Sequence, residues 1–248
     1  MAQKDVPLIL ASASPRRKEI LEAHGYSPIV MPADVDEQLP PGAVFTPEKA
    51  TIYLAELKAN AVFEALAPRD WPHSCTVLGV DTIVYKDRII GKPVDEADAL
   101  DILRSLKNTS HQVISGACLI RAGDVFAPSR NPQATGSPIR FLASDIIWLS
   151  DTTTVQFGDY TDDEILEYIR ANPPYDKSGS YAIQSAWGRH VLSVDGDIEN
   201  VIGLPFKRLS AYLEDLCQGD DFEYGFYEYD DFEYYFYEDD DFEYTDLE

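Results

Sequence analysis

The stretch "LILASASPRRKE" (residues 8–19) decides how the fold begins. Its first part, residues 8–11, is short and apolar, which predicts a buried β-strand. Ser14 then stands where a helix N-cap belongs, and Pro15 suits the first helical position because its missing N–H costs nothing there. We therefore expect a strand that leads directly into a helix, and that helix ends at Gly25.

The same stretch concentrates groups that could bind an anion. A helix N-terminus presents unpaired N–H groups at the positive end of the helix dipole. Ser12 and Ser14 add hydroxyl groups there. Arg16 and Arg17 add planar guanidinium groups, which suit phosphate oxygens. Because cations at this end of a helix oppose the dipole, the pattern indicates either a bound anion or two arginines that point into solvent.

The residues that follow alternate between helical and strand-like patterns. Helices are expected from Pro47, at 95–107, from the Thr161 capping box to Asn172, and from Pro205 to about residue 217. The helix from Pro47 should turn one apolar face inward, formed by Ala50, Tyr53, Leu54, Leu57 and Ala61. Strands are expected at 75–85, 112–120, 141–149, 152–157 and 189–194. This alternation predicts an α/β domain with a central sheet.

Asp81 is a carboxylate in the middle of an apolar strand. Such a group is costly to bury unless it is paired or binds a metal. Lys92 follows on a turn after the next short strand, so a hairpin could return it to the end of the strand that holds Asp81. The spacing fits a functional site, and it equally fits a structural ion pair.

Two further segments carry polar groups of interest. Asp34, Asp36 and Glu37 form a small acidic cluster, which either holds a hard divalent cation or is simply solvated. In residues 179–185 and 200–205, glycines lie beside the buried-looking amides of Gln184 and Asn200. These segments could approach a flat ligand closely, or form tight turns.

Composition excludes several classes of protein. The 248 residues hold 44 Asp and Glu against 20 Lys and Arg, a formal charge of -24, which argues against binding to a nucleic-acid polymer. No apolar run approaches the roughly 20 residues of a membrane span, and no secretory signal is evident. Three cysteines (Cys75, Cys118 and Cys217) lack metal-ligand spacing, so we expect reduced thiols in a cytoplasmic protein. The motifs of Ser-His-Asp hydrolases and of Walker-type nucleotide-binding loops are absent.

The last 30 residues differ from the rest. Residues 219–248 hold eight Asp and six Glu but no Lys or Arg, and the pattern "DDFEY" recurs every ten residues. We expect one domain over 1–218 and a disordered low-complexity tail over 219–248, because blocks of like charge repel each other. The tail could bind a protein partner, or be an expanded repeat without function.

Seven segments, taken in order, resemble the Maf family of nucleoside triphosphate pyrophosphatases. They are "ASASPRRKEIL" (11–21), "DVDE" (34–37), "LAELKAN" (54–60), "GVDTIV" (79–84), "GKPVDEADALDILRSLKNTSHQVISG" (91–116), "KSGSYAIQS" (177–185) and "NVIGLP" (200–205). Together they extend over most of 8–216. The resemblance implies an α/β fold with a mixed central sheet flanked by helices, a substrate cleft as in Maf and ITPase-like proteins, and a homodimer.

The resemblance also implies an activity and its residues. The reaction would be metal-dependent hydrolysis of a nucleoside triphosphate to the monophosphate and pyrophosphate, with Mg²⁺ or Mn²⁺ held by Asp81 and Glu37. Asp81 is either a metal ligand or the base that activates water. The implied site residues fall into a catalytic set, Asp81, Glu37, Lys92 and Lys58, and a substrate-binding set, Ser12, Arg16, Arg17, Thr82 and Gln184.

Three positions favour one substrate class within the family. Arg16, Thr82 and Gln184 match the subtype that acts on dTTP and UTP rather than on 7-methyl-GTP. The family usually has glycine where Ser185 stands, which bears on the pocket shape beside Gln184. The alternatives are another nucleotide specificity, or a regulatory protein that senses nucleotide through the same pocket and uses its acidic tail to bind a partner in cell-division control.

Overall fold

The opening strand and helix lie where the sequence predicts them. The structure is a computed structural model of the chain, and it describes residues 6–66, 74–126 and 139–218. Strand β1 covers Leu8–Leu10 and helix α1 covers Pro15–Ala23, after which Gly25 takes a positive φ of 88°. Ser14 is the N-cap residue as expected, but its side chain makes no capping hydrogen bond.

In the described residues, seven strands form a single mixed sheet. The strands are β1, β2 (Ile29–Val30), β3 (Ser74–Lys86), β4 (Arg88–Ile90), β5 (Ser110–Phe126), β6 (Ile139–Phe157) and β7 (Val191–Asp195). Their order is β2-β1-β3-β5-β6-β7, and β4 pairs with the end of β3. β1 runs parallel to both of its neighbours, whereas the other pairs are antiparallel. The expected mixed α/β architecture is confirmed.

Helices cover both faces of this sheet. Those that follow α1 are α2 (Pro47–Leu66), α3 (Glu96–Leu106), α4 (Asp162–Ala171), α5 (Ile198–Ile202) and α6 (Phe206–Gln218). Side chains alternate between the faces of a strand, so Leu8 and Leu10 pack with α1 and α6 while Ile9 packs with α2. A third apolar cluster joins α3 and α4 to the far ends of β3, β5 and β6.

Helix α2 lies unusually close to the sheet because two glycines face it. A Cβ added at Gly79 would lie 2.0 Å from the carbonyl oxygen of Ala55, and one at Gly116 would lie 2.4 Å from the backbone of Thr51. The predicted inner face is therefore only partly right. Ala50 and Leu54 are buried, but Ala55, Ala59, Val62 and Leu66 complete the face, while Tyr53, Leu57 and Ala61 are only half-buried.

The predicted break between residues 149 and 152 is wrong. Ser150 and Asp151 continue the ladder of β6 opposite Gly116 and Ser115 of β5. A polar pair inside a strand is tolerated here because the Asp151 carboxylate pairs with Arg208 Nε at 3.3 Å. The strand expected at 189–194 also shifts, to Val191–Asp195, because Ala186–His190 forms a 3₁₀ turn.

Two predictions on chain organisation stay predictions. The acidic repeat of residues 219–248 lies outside the described residues, so the division of the chain at residue 218 is not tested. Within the described residues, no helix combines the length and the apolar character that crossing a membrane requires.

Candidate active site

A cavity of about 300 Å³ opens beside the end of β1, and its wall combines charged and polar side chains with apolar ones. The turn after β1 (residues 11–14), α1, α2, β3 and the segments 176–184 and 201–203 all contribute to the lining. The structure brings all nine side chains named from the sequence to this one cavity: Ser12, Arg16, Arg17, Glu37, Lys58, Asp81, Thr82, Lys92 and Gln184. Residues that lie far apart in the chain therefore share one site.

The turn between β1 and α1 forms the positively charged end of the cavity. The N–H of Ser14 donates to Ser12 Oγ at 3.2 Å, which shapes the turn before Pro15 begins the helix. The first turn of α1 contains no acidic residue, and residues 14–17 all line the cavity. Unpaired N–H groups and two guanidinium groups thus converge where an anion would enter.

Four charged side chains form a continuous chain across the cavity. Lys58 Nζ lies 2.6 Å from Asp81 Oδ1 and 3.1 Å from Glu37 Oε1, and Lys92 Nζ lies 3.0 Å from Glu37 Oε2. Lys58 and Asp81 are buried, so their contact is partly shielded from water. The hairpin of β3 and β4 does return Lys92 to the cavity, but Lys92 pairs with Glu37 rather than with Asp81.

The two ammonium groups also hold Glu37 in its charged form. Partial burial by itself raises the pKa of Glu37, but Lys58 and Lys92 outweigh it and lower that pKa below its ordinary value of 4.5. Glu37 therefore stays ionised at neutral pH. Asp34 and Asp36, its neighbours in the acidic cluster, are exposed and do not line the cavity, so the cluster does not act as a unit.

Glu37→Gln tests this pairing through the pH dependence of stability. Because folding lowers the pKa of Glu37, the ionised side chain stabilises the folded state fully at pH values above its unfolded pKa of 4.5. That stabilisation is lost as the pH falls through the lower pKa of the folded state. We expect the variant to be less stable than wild type at about pH 7, and the difference to shrink as the pH falls below 4.5. Urea unfolding of both proteins at each pH measures this, and a difference that does not depend on pH would contradict it.

Arg17 is half-buried and makes three internal hydrogen bonds. Its Nε donates to the Gly203 carbonyl at 2.8 Å, Nη1 to Ser12 Oγ at 2.8 Å and Nη2 to Thr82 Oγ1 at 3.2 Å. Burial lowers the pKa of Arg17, and the nearby Asp81 charge opposes that shift. Among the described residues no carboxylate forms an ion pair with Arg17, so a half-buried cation faces the cavity without a direct counter-charge.

The structure adds two charged residues that sequence reasoning missed. Asp176 Oδ2 lies 3.7 Å from Arg16 Nη1, and the Asp176 carboxylate also pairs with Lys177. Lys177 is largely buried in the cavity wall and supplies a further cation. The signal was present for Lys177, which is the first residue of "KSGSYAIQS", but Asp176 stands just outside that segment.

Tyr181 is a third addition, and it forms part of the apolar wall. Its hydroxyl bonds His111 Nε2 at 2.7 Å, and both rings pack against Phe157. Burial lowers the pKa of His111 to about 4, so this histidine is neutral at pH 7. The pair therefore fixes a neutral aromatic surface beside the charged part of the cavity.

The two amides singled out from the sequence have different environments. Gln184 is exposed at the cavity rather than buried, and within the described residues its side chain makes no hydrogen bond. Asn200 is fully buried and does not line the cavity. Its Nδ2 donates to the Val113 carbonyl at 3.0 Å and to Thr153 Oγ1 at 3.1 Å, so Asn200 supports the site from beneath.

The carboxylates allow a test of whether a divalent metal fits. In the described residues, no group of three or more His, Cys, Asp or Glu side chains is placed to hold a metal ion. Asp81 and Glu37 nevertheless converge on one cation, the ammonium of Lys58. Mg²⁺ is typically bound by one or two carboxylates together with substrate phosphates and water. The donor set therefore fits a metal that arrives with its substrate.

Comparison with known proteins identifies the family. A family model described as "Maf-like protein" matches residues 7–216. A protein named dTTP/UTP pyrophosphatase from Geobacillus sp. (strain WCH70) is 37% identical over 202 residues, which cover 81% of this chain and 93% of that protein. Another of the same name, from Desulfitobacterium hafniense (strain Y51), is 38% identical over 207 residues, which cover 83% of each chain. One from Thermococcus gammatolerans is 36% identical over 201 residues, 81% of this chain and 91% of that protein. The chain therefore belongs to the Maf family.

Proposed function

We propose that this protein hydrolyses pyrimidine nucleoside triphosphates, dTTP and UTP, to the monophosphate and pyrophosphate. The observation that carries the proposal is the composition of the cavity wall, which holds five basic and three acidic side chains in a chain whose overall formal charge is -24. Such a local excess of positive charge suits a ligand with several phosphates. The relatives named dTTP/UTP pyrophosphatase match over almost the whole body of the chain, which supports the same activity.

The basic side chains position the triphosphate. Arg16 and Arg17 lie at the N-terminus of α1, and Lys177 pairs with Asp176, the carboxylate near Arg16. Lys58 and Lys92 both pair with Glu37. Water attacks the α-phosphorus, the bond to the bridging oxygen breaks, and pyrophosphate leaves with the bonding electrons. Negative charge therefore grows on the leaving oxygens, and prearranged cations stabilise it.

Asp81 is the proposed group for activation of the attacking water, as a base or as a metal ligand. Lys58 binds its Oδ1 at 2.6 Å, and within the described residues Oδ2 has no hydrogen-bond partner, so Oδ2 is free to accept a proton or to bind a metal. Asp81 and Glu37 would hold a divalent cation, Mg²⁺ or Mn²⁺. When bound, such a cation neutralises phosphate charge and makes metal-bound water more acidic. The choice between base and metal ligand stays open for Asp81.

Gln184 is the proposed contact for the base. Its amide offers both a donor and an acceptor, which complement the O4 and N3–H groups of thymine and uracil. Arg16 and Thr82 complete the set that favours pyrimidines. The proposal also includes a homodimer, a cytoplasmic location and a protein partner for residues 219–248, all of which rest on the sequence alone.

A nucleotide panel tests the proposed function. Purified protein is incubated with dTTP, UTP, CTP, dATP, GTP and 7-methyl-GTP, each with Mg²⁺ or Mn²⁺, and pyrophosphate release is measured with EDTA as the control. We expect turnover of dTTP and UTP, and loss of that turnover with EDTA. Release from purines alone would overturn the specificity, and no release from any nucleotide would overturn the activity.

A further inference from the structure

A line of hydrogen bonds runs from the cavity into the core. Arg17 Nη2 donates to Thr82 Oγ1 at 3.2 Å, Thr82 Oγ1 and Ser115 Oγ lie 2.9 Å apart, and Ser115 Oγ donates to the Asn200 carbonyl at 3.1 Å. Ser115 and Asn200 are fully buried and lie beneath the cavity rather than in its lining. The line therefore joins two proposed substrate-binding residues to two residues that never meet the substrate.

The distances favour one direction for each hydrogen bond in the line. A guanidinium group only donates and a backbone carbonyl only accepts, whereas each hydroxyl has one proton. Ser115 uses its proton on the Asn200 carbonyl, so its oxygen accepts from Thr82. The Gly203 carbonyl lies farther from Thr82 Oγ1, at 3.4 Å, so the shorter contact favours donation of the Thr82 proton to Ser115. Thr82 has one proton, and it is used within the protein in either case. Thr82 Oγ1 is then left as the acceptor for Arg17.

The deep end of the line is anchored on the sheet. The Asn200 side chain donates to Val113 of β5 and to Thr153 of β6. Thr153 Oγ1 in turn exchanges hydrogen bonds of 3.0 Å with the backbone of Asp197, at the start of α5. These hydrogen bonds hold α5 against β5 and β6. The Asn200 carbonyl, which accepts from Ser115, is therefore held in place.

We propose that Ser115 is a positioning residue for the substrate and acts through Thr82 on Arg17. The Ser115 hydroxyl orients the hydroxyl of Thr82 so that Thr82 Oγ1 accepts from Arg17. This hydrogen bond holds the Nη2 side of the Arg17 guanidinium in place. A guanidinium has five N–H groups, and three are used inside the protein, so one N–H on each terminal nitrogen stays available for phosphate. Thr82 itself has no hydroxyl proton to offer to a nucleotide. This role rests on the proposed function, because the phosphate is that of the substrate.

Kinetics of paired variants test the role. Ser115→Ala is expected to raise KM for dTTP about tenfold, with kcat changed less than about threefold, because a misplaced Arg17 weakens phosphate binding. Thr82→Val should give a similar rise, whereas Thr82→Ser, which keeps the hydroxyl, should retain a KM close to wild type. Ser115→Ala added to Thr82→Val should cause almost no further change. Ser105→Ala is the matched control, since its hydroxyl bonds Ile102 on α3, outside the cavity lining.

Several outcomes would overturn the proposal. They are equal KM values for Thr82→Val and Thr82→Ser, an unchanged KM in Ser115→Ala, or an undiminished effect of Ser115→Ala in the Thr82→Val background. If Ser115→Ala does not fold, the KM values of Thr82→Val and Thr82→Ser decide whether the Thr82 hydroxyl positions Arg17. If wild type does not hydrolyse dTTP, the proposed function fails, and the same variants are compared by calorimetric Kd for a non-hydrolysable dTTP analogue. A wild type that neither hydrolyses dTTP nor binds the analogue overturns both proposals.

Discussion

Asp81→Asn is expected to bind dTTP and UTP nearly as wild type does but to hydrolyse them at least about a thousandfold more slowly. Asparagine has almost the same shape as aspartate but lacks its charge, so it can neither accept a proton from water nor bind a metal strongly. Substrate affinity should survive because the arginines at the start of α1 are not changed. Kd from calorimetry and single-turnover rates measure the two quantities separately.

The control for this variant is an ion-paired carboxylate outside the cavity. Asp162 pairs with Arg104 at 2.7 Å and does not line the cavity, so Asp162→Asn should leave kcat unchanged. Turnover by Asp81→Asn within about tenfold of wild type would show that Asp81 is a structural partner of Lys58 and would contradict its catalytic role. Nucleotide binding without hydrolysis by wild type itself would instead favour a nucleotide-sensing protein.

Gly79→Ala should have the largest effect on stability. Its new Cβ would lie 2.0 Å from the Ala55 carbonyl oxygen, and backbone atoms cannot swing aside as the end of a side chain can. Helix α2 must therefore move away from β3, which we expect to cost about 3 kcal/mol of unfolding free energy. Lys58 lies on the same helix, so its 2.6 Å contact with Asp81 should loosen and activity should fall as well.

Gly91→Ala provides the comparison for Gly79→Ala. No atom lies within 4 Å of a Cβ added at Gly91, so its stability should stay within about 0.5 kcal/mol of wild type. Urea unfolding followed by circular dichroism gives both values. Equal unfolding free energies for the two variants would show that α2 does not depend on its close approach to the sheet.

The sequence predicted features that depend on neighbours in the chain. The strand and helix of residues 8–23 and the Thr161–Glu164 capping box follow from local signals, and both are confirmed. The nine site residues came partly from local chemistry, as for Arg16 and Asp81, and partly from family resemblance, as for Lys58. Nothing in the pattern around Lys58 marks it as different from other helix lysines.

Features that depend on distant contacts could not be predicted. Arg17 bonds the carbonyl of Gly203, 186 residues away, and no local pattern reports such a contact. The inner face of α2 is set by Gly79 and Gly116 in other elements, so helical periodicity alone placed Leu57 and Ala61 incorrectly. Gln184 and Asn200 both lie beside glycines and apolar residues, yet only Asn200 is buried, because strands β5 and β6 close over it.

Analysis of the products formed from UTP tests the central claim most directly. Wild-type protein with Mg²⁺ in water enriched in heavy oxygen is expected to give UMP and pyrophosphate in equal amounts, with the label in UMP, because water attacks the α-phosphorus. Phosphorus NMR and mass spectrometry identify both products and the site of the label. UDP with inorganic phosphate, or label in pyrophosphate, would contradict the account.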